Sequence, residues 1–319
     1  MSNKKLVAIG EALIDFIPSQ SGCEFDEVDS FIPAVGGAPA NVCAAFAKLG
    51  GRSVFLTQLG DDPFGHKIIK TLEDAGIDTG FIRVTDIANT ALAFVSLSSD
   101  GNRTFSFYRK PSADMLYSPS QLDEEAFKDI FALHFCSVSL GDFPMKEAHL
   151  KAIELAGANG AIISFDPNLR FMLWPDREKL KKTVRDFIPF CHILKISDDE
   201  LEFITGTDDI DKALPGLQKL GVKVVLYTCG SKGMKAYTRD ICAECIAPDV
   251  QALDTTGAGD ASAGSFLWKL DDMGISLNDL DFITEEQLNE AVRFAVKYCA
   301  ISVQHKGAIP SYPNLEQIN

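Results

Sequence analysis

The heptapeptide Asp254-Thr255-Thr256-Gly257-Ala258-Gly259-Asp260 combines residue types that can hold an anion and move a proton. Gly257, Ala258 and Gly259 put little side chain in the way, so a ligand can approach the backbone N–H groups closely. The residues that follow, Ala261 to Leu267, read as a helix. N–H groups in the first turn of a helix lack internal partners and stand at the positive end of its dipole. Such a corner receives phosphate. Asp260 has a different task, because a carboxylate there repels a resting phosphate. A base that takes a proton from an attacking hydroxyl gives it a reason to be there. The same residues also suit a plain glycine turn in which Asp260 serves helix electrostatics.

Other stretches supply polar groups that such a reaction needs. Leu6 to Ile9 reads as a buried strand that Gly10 to Phe16 continues, with Asp15 among apolar neighbours. Asp15 is either a solvated acid on an outer face or a carboxylate that accepts hydrogen bonds from hydroxyls. Gly36-Gly37-Ala38-Pro39-Ala40-Asn41 opens a helix that Gly50-Gly51 stops. Its glycine pair admits a ligand to the backbone, and Asn41 is either a donor and acceptor that suit a sugar hydroxyl or an ordinary polar residue in a helix's first turn. Asp62-Pro63 starts the next helix, through Leu72.

Ala91–Leu97 and Thr104–Arg109 read as strands joined by a hairpin turn at Ser99-Asp100-Gly101-Asn102. Phe105 and Phe107 alternate with polar residues, which gives the hairpin an aromatic face. It is either packed on its own core or a flap that closes over a site. From about residue 120 helices and strands alternate. Helices are expected over 121–130, 146–156, 178–187, 198–204, 212–220 and 285–304, and strands over 133–138, 161–165, 192–196 and 222–228. That order predicts an α/β domain whose mostly parallel sheet is covered by helices on both faces. Ligands on such sheets bind at the carboxyl ends of strands, where the polar residues after 165, 196 and 228 fall. The last of these is Cys229-Gly230-Ser231-Lys232-Gly233.

Composition narrows the class. A chain of 319 residues with 46% hydrophobic side chains can bury a large core, and no linker or repeat divides it. The net charge of -15 argues against nucleic acid or an anionic membrane as partner. No apolar run is long enough to span a bilayer, and Glu11 and Asp15 interrupt the N-terminal apolar stretch, so a cytoplasmic protein is expected. Eight cysteines lack a disulfide framework, and Cys242 and Cys245 have no second ligand pair for zinc. There is no Gly-x-x-x-x-Gly-Lys phosphate loop, and Ser262 stands where a dinucleotide fingerprint has its third glycine.

Taken together, these motifs resemble the ribokinase/PfkB family of ATP-dependent sugar kinases across nearly the whole chain. The likeness rests on two regions, Gly36–Asn41 extended to Gly60, and Asp254–Asp260. Within the family the chain is most similar to bacterial fructokinases, through Gly10–Asp15, Gly60–Gly65, Thr90–Val95, Phe107-Tyr108-Arg109 and Phe165–Arg170. The 2-keto-3-deoxygluconate kinases share much of this, including arginines like Arg109 and Arg170, which can hold a sugar carboxylate as well as a hydroxyl.

The resemblance implies a ribokinase-like three-layer sandwich in one domain, residues 1–319, with a small β lid inserted at about 13–36 and 89–112. It implies that Asp260 deprotonates the sugar's primary hydroxyl, while Gly257, Ala258, Gly259 and the Asp260 N–H hold the moving phosphoryl group. Asp15, Gly36, Gly37, Asn41, Phe107, Arg109 and Arg170 would bind the sugar. Thr228, Gly230, Ser231 and Gly233 would border ATP, and Glu200 would organise Mg2+ through water. Ser197 departs from the family's Asn-x-x-Glu pattern. Asp254 marks a site for a monovalent cation such as K+. The expected partners are a small sugar and ATP, with a homodimer through the lid; a sugar- and nucleotide-binding regulator without catalysis is the reading from another class.

Overall fold

The computed structural model describes residues 4–20, 22, 25–97 and 103–318. The expected hairpin turn at Ser99–Asn102 therefore lies outside the described residues, as does Cys23.

Strands β1 (Lys5–Ile9), β2 (Leu13–Pro18) and β3 (Phe31–Gly36) lead into helix α1 (Ala38–Lys48). Next come β4 (Arg52–Leu56), β5 (Gln58–Gly60), α2 (Pro63–Asp74), β6 (Ile77–Asp78), β7 (Arg83–Thr85), β8 (Ala91–Leu97) and β9 (Arg103–Tyr108). The central part holds β10 (Ile130–Cys136), α3 (Pro144–Ala158), β11 (Ile162–Asp166), α4 (Arg177–Phe187), β12 (Ile193–Ser197), α5 (Asp198–Thr205) and α6 (Ile210–Lys219). The chain closes with β13 (Val224–Thr228), β14 (Met234–Tyr237), β15 (Cys242–Cys245), α7 (Ala258–Asp272), α8 (Glu285–Ser302) and α9 (Leu315–Ile318).

The large sheet has the order β15-β14-β13-β12-β11-β10-β1-β4-β6. It is parallel from β13 through β6 and antiparallel at the β13-β14-β15 edge. Its strands read as continuous apolar runs because both faces are covered. In β1, Leu6 and Ala8 face a core shared with α1, α7 and α8, while Val7 and Ile9 face one shared with α3 and α4. Three layers follow, with the carboxyl ends of the strands on one edge.

Two expectations change. Residues 10–16 do not prolong β1: the chain leaves the large sheet and begins β2 in a second sheet of order β3-β2-β8-β9. Residues 121–130 are not an α-helix. They form 3-10 turns at Pro119–Gln121 and Glu124–Phe127 before β10 begins at Ile130. Asp123 accepts from the Glu125 N–H, and the Glu125 and Asp129 carbonyls are drawn to the Lys5 ammonium and amide. Those bonds compete with the helical ladder.

The small sheet has two unlike faces. Asp15 pairs with Ala93 and Ala93 with Phe107, so these lie on the face that Leu13 and Ala91 share. The aromatic face is the other one. Phe16 stacks on Phe94 at 4.6 Å between centroids, and Phe94 meets Tyr108 and Phe31 edge-on at 5.3 Å. Phe107 thus belongs to the opposite side from the aromatic cluster. Asp62 fixes this sheet to the body: Oδ1 accepts from the Phe64 and Gly65 amides at the start of α2, and Oδ2 from the Thr90 amide just before β8.

Candidate active site

Helix α7 begins inside the heptapeptide, at Ala258, so Gly259 lies in its first turn and Gly257 just ahead of it. Gly257 caps the helix at φ 74°, and an added Cβ would stand 2.6 Å from Ala308 Cβ and from the Tyr312 hydroxyl oxygen. Both conditions call for glycine. The turn's carbonyls are anchored from behind. Tyr312 donates to the Gly257 oxygen at 2.9 Å, Cys299 Sγ to the Ala258 oxygen at 3.3 Å, and Ser262 Oγ to the Gly259 oxygen at 2.6 Å. The Ala258 N–H is taken by the Thr255 carbonyl. Among the described residues no backbone bond engages the Gly259 and Asp260 N–H groups, which leaves these two open to an anion.

Asp260 is 8% exposed, and its Oδ2 accepts a 2.7 Å bond from Asn41 Nδ2. Burial pushes its carboxyl above the ordinary range; the Asn41 bond, Lys195 and Arg170 oppose that without cancelling it. A stronger base results. Asn41 Oδ1 is buried and has no partner among the described residues, so an open acceptor stands beside Asp260. Close packing of α1 on α7 holds the pair together; at Gly264 an added Cβ would fall 2.7 Å from both Ala45 Cβ and the Val42 oxygen.

The small sheet brings Asp15 to the same region. A Cβ at Gly36 would lie 2.2 Å from Asp15 Oδ2, so the glycine is what leaves that carboxylate its place. Gly37 packs against the Glu11 carbonyl and Ala12. Arg170 is exposed, with Nη1 on the Leu169 carbonyl, and its charge reaches Asp260. Arg109 is placed differently from a free sugar ligand. It is 7% exposed and is bonded to Asp114, Val138 and Ser139.

On the other side of α7 lies a cavity of about 570 Å³. Thr228, Gly230, Ser231 and Gly233 line it at the end of β13, Gly259 at the turn, and Val296 and Ala300 from α8. This size and mixed lining suit a nucleotide. Lys195 also lines it and was missed from sequence. Its Nζ lies 3.0 Å from Asp166 Oδ2 and 3.2 Å from where a Gly259 Cβ would stand. Burial works to lower the Lys195 pKa, but Asp166 and Glu200 outweigh it, so the ammonium stays charged next to the anion-binding amides. A lysine inside the apolar run Ile193-Leu194-Lys195-Ile196 was the signal.

Glu200 is spent locally. Oε1 accepts from the Leu169 amide at 2.7 Å and Oε2 from the Ser197 amide at 3.1 Å. Ser197 is therefore the N-cap of α5, which accounts for its place in the pattern. Asp254 Oδ1 accepts from the Thr256 amide and hydroxyl, and Oδ2 from the Gly307 amide, tying two loops together. No group of three or more His, Cys, Asp or Glu side chains that could cage a metal occurs among the described residues. The described cysteines are free thiols, and Cys242 and Cys245 point to opposite faces of β15.

A buried carboxylate beside open helix amides and a nucleotide-sized cavity, on this architecture, suit a phosphotransferase acting on an alcohol. The chain matches the pfkB family carbohydrate kinases over residues 3–315 and belongs to that family. It is 43% identical over 309 residues to Fructokinase-1 of Oryza sativa subsp. japonica, covering 97% of this chain and 94% of that one. The fructokinase of Xylella fastidiosa, solved with bound ATP, superposes with a TM-score of 0.89 at 33% identity, over 99% of this chain and 97% of that one. The fructokinase of Vibrio cholerae O395, solved with fructose, ADP and calcium ion, gives 0.87 at 31% identity, over 99% and 97%. The fold is ribokinase-like, as the sequence implies, and the chain is an ATP-dependent sugar kinase.

Proposed function

We propose that this kinase transfers the γ-phosphoryl group of ATP to the primary hydroxyl of D-fructose, giving fructose 6-phosphate. The observation that carries the reading is the placement of base and anion-binding amides in one helical turn: Asp260, held by Asn41, follows Gly259 directly. Asp260 takes the hydroxyl proton as the oxygen attacks. The Gly259 and Asp260 amides and the Lys195 ammonium oppose the charge that grows on the transferred group. Asn41 Oδ1, Asp15 and the backbone at Gly36 and Gly37 orient the sugar, with Arg170 at the rim.

Mg2+ bound to the nucleotide neutralises phosphate charge. Glu200, already accepting two amides, would meet its shell through water. A K+ ion at Asp254 would rest on backbone oxygens, since both carboxylate oxygens are engaged. Residues 1–319 act as one kinase domain with the small sheet as its lid. Tyr108, 63% exposed, and Phe25, 42% exposed, lie in the lid's aromatic cluster and supply an apolar surface on which two copies can pair. A cytoplasmic setting accords with the free thiols. No described helix is long and apolar enough to cross a membrane.

ADP release measured with fructose, 2-keto-3-deoxygluconate, ribose and tagatose tests the reading. Fructose should give the highest kcat/KM. A higher value for the keto-acid would replace fructose as substrate, and ATP binding without ADP release for any sugar would mark a regulator.

A further inference from the structure

Tyr312 follows the 3-10 turn Ile309–Ser311 and is buried, 3% exposed, behind the first turn of α7. Its hydroxyl donates to the Gly257 carbonyl at 2.9 Å, and the Ala261 amide donates to the same oxygen at 2.8 Å. The other end of that peptide, the Ala258 N–H, is held by the Thr255 carbonyl at 3.2 Å. One peptide plane is therefore fixed from both sides, immediately ahead of the open Gly259 and Asp260 amides. The tyrosine is itself well fixed. Its ring centroid lies 6.0 Å from that of Tyr298, and the Gly307 amide ahead of it donates to Asp254 Oδ2. Ser311 Oγ is linked to Ser302 Oγ and donates to the Ala308 carbonyl, both at 2.7 Å. Burial, with the charge of Asp260 second, pushes the Tyr312 hydroxyl well above its ordinary range, so it stays protonated and remains a donor.

A buried tyrosine hydroxyl needs a partner, and any helical carbonyl would serve for that alone. The place of this one gives it a second consequence. Gly257 sits at φ 74° with Gly259 two residues on, so the stretch that aims the amides has the least conformational restraint of its own. A donor array stabilises developing charge only as far as it is already in place when the charge forms. The Ala261 bond belongs to α7 and moves with it, whereas the Tyr312 bond ties the turn to a different element. We propose that Tyr312 is a positioning residue for phosphoryl transfer: its hydroxyl locks the Gly257–Ala258 peptide, so that the Gly259 and Asp260 amides meet the transferred group at one fixed angle. Tyr312 is not among the residues that line the nucleotide cavity, and it acts through the turn.

The proposal rests on the reading of this turn as the phosphoryl-binding site, and the test keeps the two apart. Tyr312→Phe deletes the hydroxyl and keeps the ring against Tyr298. Tyr298→Phe is the matched control: it removes another buried hydroxyl, one that donates to the Ala45 carbonyl in α1. Turnover is measured for wild type and both variants with the sugar that gives the highest kcat/KM, alongside thermal unfolding. The affinity for Mg–ADP in the presence of that sugar is measured with and without aluminium fluoride, which mimics the phosphoryl group in flight. Tyr312→Phe should lower kcat about tenfold and leave the KM of each substrate within about twofold. It should also lose about the same tenfold of the affinity that fluoride adds, with binding of ADP alone unchanged. Tyr298→Phe should keep kcat whatever stability it loses. An unchanged kcat in Tyr312→Phe overturns the proposal, and so does a loss that Tyr298→Phe matches, since that marks a structural role. A change confined to one KM overturns it too. A wild type in which fluoride adds nothing to ADP affinity overturns the reading of the turn, and the proposal with it. A wild type that gains from fluoride, with a Tyr312→Phe that gains as much, overturns the proposal alone.

Discussion

Asn41 Nδ2 lies 2.7 Å from Asp260 Oδ2 across 219 residues of chain, and the bond joins the first turns of α1 and α7. One helix start carries the proposed base and the other carries the amide that holds it. The hydrogen bond has an electrostatic consequence as well. It favours the carboxylate form of Asp260, against burial, which favours the acid. Removing it in Asn41→Ala should raise the Asp260 pKa further. The base is active only when deprotonated, so kcat/KM should fall off at a higher pH as acid is added than in the wild type. A pH profile of kcat/KM checks this; an acid limb that stays in place would show that Asp260 does not govern it.

Asp260→Ala tests the base directly. General-base help contributes on the order of 10²–10⁴-fold in rate, so turnover should fall at least about a hundredfold. The Gly259 amide and Lys195 are untouched, so nucleotide should still bind. Stopped assays for ADP together with a nucleotide titration separate the two effects. Near-normal turnover would remove Asp260 from the mechanism.

Much of this was open to view in the sequence. Apolar runs bounded by glycine and proline mark β1, β10, β11, β12 and β13 of the large sheet, because both faces are buried and the pattern is simple, whereas β4, β6, β14 and β15 are not legible in this way. The residues 10–16 were harder. β1 and β2 are both apolar, and nothing in Gly10-Glu11-Ala12 tells that the second strand joins another sheet. The 121–130 segment failed for a similar reason: the bonds that break its helix come from Lys5, distant in sequence. Asp260 and the glycines could be picked out because their spacing along one turn is local. Lys195 and Asp166 come together only when β11 and β12 pair, and Arg109 could be named but not aimed. Contacts that close through the sheet are the ones a linear reading loses.

Gly36→Ala should act on the sugar and spare the nucleotide. A Cβ there falls 2.2 Å from Asp15 Oδ2, so the carboxylate must move. A displacement of this order near reacting groups costs about 10- to 100-fold in kcat/KM. The sugar KM should rise while the KM for ATP stays near its original value, measured by varying each substrate in turn. A rise confined to ATP would place Asp15 outside the sugar pocket.

Lys195→Met removes a buried cation and leaves Asp166, 1% exposed, without its ion-pair partner. Breaking a buried pair on one side costs about 3–5 kcal/mol of stability. Asp166→Asn made together with Lys195→Met should recover most of that loss, since no uncompensated charge remains. Activity should not recover with it. The Lys195 ammonium stands beside the Gly259 turn, the proposed place of the transferred charge, and neither the methionine nor the asparagine supplies a cation. Denaturant unfolding and turnover measured on the same three proteins distinguish the two roles. If the double variant regained both stability and rate, Lys195 would be a structural residue and the amides of α7 alone would hold the phosphoryl group.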